Sequence, residues 1–161
     1  MTEDKLIYTS NSEDETYKLG KNLGQRMDDD QVILLSGDLG AGKTLLVQGI
    51  AEGLQIDDDI TSPTFNLVKE YQGKYSLYHM DLYRIDLVED LYNIGFLDYF
   101  DRAGVVVIEW PEIALDLIPE DYLYITVEVI NDNKRKLIFN SEGEWANKLL
   151  KGLYQYVNSG N

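Results

Sequence analysis

The chain has 161 residues, one domain's worth of sequence, with 14 Lys plus Arg against 29 Asp plus Glu and a formal net charge of −15. That balance argues against direct binding to nucleic acid or an anionic membrane, both of which need a positive footprint, while 44% hydrophobic content argues against disorder. The absence of Cys removes disulfides, thiolate metal sites and a Cys nucleophile, and a single histidine, His79, removes a multi-histidine zinc centre. No apolar run nears the roughly 18 residues of a membrane span. A single soluble, cytoplasmic domain over residues 1–161 is expected.

Leu6 to Thr9 reads as a short strand. Ser12 with Glu15 forms a capping box, opening a helix whose Leu19, Leu23 and Met27 share one face. Asp28 to Asp30 ends it, and the apolar run Val32-Ile33-Leu34-Leu35 marks a buried strand from Gln31 to Ser36. A glycine loop leads into a helix from Lys43 to Leu54. Phe65 to Tyr71 and Tyr75 to Met80 read as strands joined at Gln72-Gly73-Lys74. One or two short helices follow in Leu87 to Phe100, then a second buried strand, Val105 to Ile108. Pro111 opens a short helix to Leu117. Tyr122 to Ile130 and Lys136 to Phe139 form a hairpin across Asn131-Asp132-Asn133, and a last helix begins near Glu142. Early strand–helix alternation with later hairpins predicts an α/β fold with a mixed sheet.

Gly37-Asp38-Leu39-Gly40-Ala41-Gly42-Lys43-Thr44 matches G-x-x-x-x-G-K-[ST], between a buried strand and a helix start. The glycines allow backbone angles that a Cβ would block. The amides of Asp38, Leu39, Gly40, Ala41 and Gly42 can then turn inward with the helix N-terminus to form an anion site. Lys43 would reach the β- and γ-phosphates of a nucleotide, and the Thr44 hydroxyl would bind Mg²⁺.

Such a loop needs a carboxylate from a neighbouring strand. Glu109, ending Val105-Val106-Val107-Ile108, is the best placed. Asp81, in His79-Met80-Asp81-Leu82-Tyr83-Arg84, is a second acid for metal or water positioning. Arg84 could offset phosphate charge or pair with Asp81 or Asp86. His79 reads more as a satisfied structural histidine than as an acid–base group, and Trp110 as core or cover. Thr61-Ser62-Pro63-Thr64 lies where nucleotide-responsive switches occur, or is simply a capped turn.

Together these segments resemble the TsaE family of small bacterial P-loop ATPases. The resemblance rests on G-D-L-G-A-G-K-T at Gly37 to Thr44, S-P-T-F at Ser62 to Phe65, H-M-D-L-Y-R at His79 to Arg84, I-G-F-L-D-Y-F at Ile94 to Phe100 and I-E-W-P-E at Ile108 to Glu112. It implies a P-loop NTPase-like three-layer fold, with a mixed sheet of about seven strands flanked by helices. It also implies an ATPase needed to make N6-threonylcarbamoyladenosine in tRNA, bound to a TsaB–TsaD heterodimer and supporting its turnover. By matching positions, Lys43 and Thr44 contact phosphate and Mg²⁺, Glu109 is a Mg²⁺ ligand, Asp81 is a functional acid and Thr64 belongs to the switch loop. Arg135 and Lys136 compete for an Arg position near the nucleotide, and Ser10 to Ser12 would approach the adenine side. Leu45 stands where the family often has a second hydroxyl residue.

Water attack on the γ-phosphate would then be supported by Lys43, with Glu109 or Asp81 orienting the water. Slow basal hydrolysis, stimulation by the heterodimer and negligible direct tRNA affinity are the expectations. A GTPase lacks support because no N-K-x-D segment is present. A kinase lid lacks support because the arginines are scattered at Arg26, Arg84, Arg102 and Arg135. A binding module using ATP only as a conformational ligand is the other alternative, and the intact Lys43, Thr44, Asp81 and Glu109 argue against it.

Overall fold

The computed structural model describes residues 4–63 and 67–159. The strands are β1 (Lys5–Ser10), β2 (Gln31–Ser36), β3 (Val68–Gln72), β4 (Ser76–Asp81), β5 (Val105–Glu109), β6 (Tyr122–Val129) and β7 (Arg135–Glu142). They form one seven-stranded sheet in the order β1-β7-β6-β2-β5-β4-β3. β6, β2, β5 and β4 run parallel, and antiparallel pairs close both edges: β1 and β7 with β6 on one side, β3 with β4 on the other. Helices α1 (Glu13–Gln25), α2 (Lys43–Gly53), α3 (Val88–Asn93) and α4 (Glu144–Asn158) and two 3-10 segments, Phe96–Asp101 and Pro111–Leu117, cover it. No helix of the described residues is long and apolar enough to cross a membrane.

β2 explains the layering. It is buried on both faces, so its residues divide by parity. Ile33 and Leu35 join the core beneath α1, α2 and α4, while Val32 and Leu34 join the core beneath α3 and the 3-10 segments. Leu19, Leu23 and Met27 of the first helical stretch are buried together on the former side. α1 opens as its cap requires: Ser12 Oγ accepts from Glu15 N at 3.1 Å, and Glu15 Oε2 accepts from Asn11 N at 2.7 Å. α1 and α2 then pack backbone to backbone. A Cβ on Gly49 would lie 2.2 Å from the Tyr17 carbonyl oxygen, so only glycine permits this approach.

The elements follow the sequence reading with local differences. β3 begins at Val68; Leu67, which the sequence reading also placed in this strand, has φ 62°, a left-handed turn that no strand continues through, and Phe65 and Asn66 lie outside the described residues. Gly95, at φ 69°, divides the Leu87 to Phe100 stretch into α3 and a 3-10 segment. β7 runs to Glu142 because its polar end stays paired with Tyr122 to Tyr124, and Gly143 (φ 96°) turns the chain so that α4 starts at Glu144.

Candidate functional site

The parallel ladder sets the site. Leu35 near the end of β2 pairs with Glu109 at the end of β5, and Glu109 pairs with Asp81 at the end of β4. The loop leaving β2 and two carboxylates therefore meet at one end of the sheet, where ligands of open α/β sheets bind.

The loop carries the left-handed glycines that an anion cradle uses. Gly37 has φ 148°, and a Cβ there would lie 2.5 Å from the Val127 carbonyl oxygen; Gly42, preceding α2, has φ 104°. Lys43 is buried, and its ammonium donates to the Gly37 carbonyl and lies 3.8 Å from the centroid of the Trp110 ring. Burial pushes its pKa below the ordinary lysine value, while Glu109, Asp81, Glu112 and Asp38 pull the other way. Trp110 is held under this amine by its own left-handed backbone (φ 56°), by N–H donation to Leu35 O at 3.1 Å and by the Tyr83 ring at 4.8 Å.

The acids sit in a graded environment. Along β4, Leu77, His79 and Asp81 share one face; along β5, Val105, Val107 and Glu109 do the same. Each row passes from apolar core to polar cleft. Asp81 Oδ1 accepts from Tyr83 N at 3.0 Å and Oδ2 accepts from the Ser62 hydroxyl at 3.3 Å. Glu109 is 3% exposed, and its Oε2 is 2.6 Å from His79 Nε2. His79 is thus tied to the Glu109 carboxylate, with Nδ1 buried and unpartnered, and is not the satisfied structural histidine of the sequence reading. The available signal was the H-x-D spacing, which on a strand puts both side chains on one face.

Leu39, Gly40, Gly42, Lys43 and Thr44 line a cleft of about 440 Å³ together with Ser62, Asp81, Tyr83, Arg84, Glu109 and Trp110. Arg135 borders the loop without lining this cleft: its Nε donates to Ala41 O at 2.8 Å and its Nη1 to Asn131 O at 2.7 Å, so it ties the loop to the β6–β7 turn. Ala41 is buried, and its N–H donates to the Asp38 carbonyl at 3.0 Å instead of turning inward as expected; neither side chain lines the cleft. Lys136 pairs across the ladder with Thr9 and Glu128. Ser10 is opposite Arg135, but its hydroxyl is engaged with Ser12 O and the Thr16 hydroxyl. Thr64 lies outside the described residues.

The donor set fits a hard cation beside a polyphosphate: hydroxyls, Thr44 among them, and the carboxylate oxygens of Asp81 and Glu109, with no soft ligand in the cleft. No group of three or more His, Asp or Glu residues able to hold a metal occurs among the described residues. Phosphate oxygens and water would have to complete such a shell, as Mg²⁺ ordinarily allows.

A family model described as "Threonylcarbamoyl adenosine biosynthesis protein TsaE" matches residues 10–137. A Treponema pallidum protein named tRNA threonylcarbamoyladenosine biosynthesis protein TsaE is 41% identical over 128 residues, covering 80% of this chain and 95% of that protein. Its Bacillus subtilis namesake is 37% identical over 131 residues, 81% of this chain and 82% of that protein. The crystal structure of Bacillus subtilis YdiB superposes with a TM-score of 0.78 and 32% identity, covering 94% of this chain and 95% of that one.

Proposed function

The chain belongs to the TsaE family of threonylcarbamoyl adenosine biosynthesis proteins, and from that premise we propose that it is a cytoplasmic, Mg²⁺-dependent ATPase supporting tRNA threonylcarbamoyladenosine formation. The observation that carries this reading is one cleft holding the glycine loop, Lys43 and Thr44 together with Asp81 and Glu109 from adjacent strand ends.

In this reading the loop amides and the start of α2 hold the phosphates of ATP. Lys43, already partly desolvated, places a positive charge where negative charge develops during γ-phosphoryl transfer to water. Thr44 and Glu109 would hold Mg²⁺, which when bound would neutralise phosphate charge. Asp81, fixed by Tyr83 N–H and Ser62, is arranged to orient water, and Glu109 is the other candidate for that task. Arg84 is the only arginine lining the cleft among the described residues. A site built this way hydrolyses ATP slowly alone, and a TsaB–TsaD heterodimer accelerates it by completing or reshaping the cleft. The tRNA is then gripped by partners, consistent with the chain's charge of −15.

Steady-state ATP hydrolysis with and without the heterodimer tests this reading. Slow turnover alone and a clear rise with the heterodimer are expected; fast turnover by the isolated chain, or no change on adding it, contradicts the proposal. Competition by GTP as strong as by ATP would contradict the nucleotide assignment.

A further inference from the structure

We propose that His79 is a positioning residue that fixes the Glu109 carboxylate for its cation, an inference that rests on the reading of Glu109 as a Mg²⁺ ligand.

The ring is 0% exposed and does not line the cleft. Its Nε2 is 2.6 Å from Glu109 Oε2. As a cation ligand Glu109 is an acceptor only, so Nε2 carries the shared hydrogen and donates it. The terminal torsion of a glutamate is broad and weakly defined by its own rotamer. A donor locked in the sheet removes that freedom: it occupies Oε2, sets the carboxylate plane and leaves Oε1 for the cation. No other side chain is hydrogen-bonded to this carboxylate among the described residues.

A role confined to folding explains the ring poorly. His79 sits in β4 between Tyr78 and Met80, both buried in the opposite core, and beside Leu77 and Val107 on its own face. Its Nδ1 has no hydrogen-bond partner. An apolar residue would avoid that unsatisfied group, and a buried polar atom without a partner costs stability. The one contact that repays the ring is the one to Glu109. The strands also place it well, since Glu109 is the diagonal same-face neighbour of His79, two residues beyond its ladder partner Val107.

The test is the Mg²⁺ dependence of ADP binding, titrated in the folded full chain as wild type, His79→Leu, His79→Gln, Glu109→Ala and the His79→Leu/Glu109→Ala double variant. Binding in EDTA and a thermal melt are measured alongside. The Gln amide can supply an N–H near the Nε2 position. The expected result is that His79→Leu raises the half-saturating Mg²⁺ concentration about 10-fold or more and leaves binding in EDTA unchanged. His79→Gln should restore most of the loss, and in the Glu109→Ala background His79→Leu should add nothing. If His79→Leu does not fold, His79→Asn, too short to reach Glu109, takes its place in the same comparison. Unchanged Mg²⁺ dependence, no rescue by Gln, or a full effect persisting without Glu109 would overturn the positioning role alone. Wild-type ADP binding that ignores Mg²⁺ would overturn the reading of the cleft, and this role with it.

Discussion

Lys43 carries the sharpest demand in the molecule, a cation buried beside four carboxylates and held by one carbonyl and one indole face. A phosphate would satisfy that ammonium better than the neutral Gly37 carbonyl, because charge-assisted hydrogen bonds are about twice as strong as neutral ones. Lys43→Ala should therefore weaken ATP binding by roughly 10- to 100-fold, the worth of one such bond; equilibrium titration with a fluorescent ATP analogue checks it. Arg135 predicts a different signature. It grips the Ala41 carbonyl from outside the cleft, so Arg135→Ala should loosen the loop and weaken nucleotide binding less than Lys43→Ala, with its Mg²⁺ dependence intact. The same titration in Mg²⁺ and in EDTA separates the two. Lys43 and Thr44 were legible as cleft residues because phosphate-loop chemistry prescribes residue types at fixed spacing, and Glu109 because it ends a continuous buried apolar run. Arg135 was legible as a residue but not in its contact, because nothing local says which atom a long side chain will reach.

α2 carries Lys43 and Thr44, and its placement depends on how closely α1 approaches it. Gly20 and Gly24 face Gly49 and Gly53, and a Cβ on Gly24 would come within 2.2 Å of the Ile50 carbonyl oxygen. Ala at Gly49 gains about 1 kcal/mol of helix propensity but loses more to overpacking against backbone that cannot yield. Gly49→Ala should lower the stability of the chain by about 1–2 kcal/mol, read as a lower urea midpoint with an unchanged slope. Elements with strong periodicity or continuous apolar runs, α1, β2 and β5, stand where their residues place them. Boundaries moved where one backbone angle decides: Leu67 at the start of β3, Gly95 between α3 and its 3-10 neighbour, Gly143 before α4. A positive φ at a leucine has no composition cue. The adjacency of Asp81 and Glu109 was equally illegible, because strand order is a long-range choice made by whole-sheet packing.

At the scale of the whole molecule, a net charge of −15 has to coexist with the polyanionic ligand that the proposed function requires. The sheet resolves this locally by focusing loop amides, Lys43 and Arg84 at the ends of β2, β5 and β4. Beyond that focus the surface repels nucleic acid, so the isolated chain should show no measurable tRNA binding at physiological salt in a filter or mobility assay; salt-sensitive micromolar binding would contradict this. The role proposed for this cleft is ATP hydrolysis that supports repeated rounds of tRNA modification by a partner complex. Its most direct test is multi-turnover threonylcarbamoyladenosine formation by TsaB–TsaD, followed with the wild-type chain, with the Lys43→Ala variant and with no chain added. Many turnovers are expected with the wild type and a stall near one turnover in the other two. Equal sustained turnover in all three reactions would contradict it.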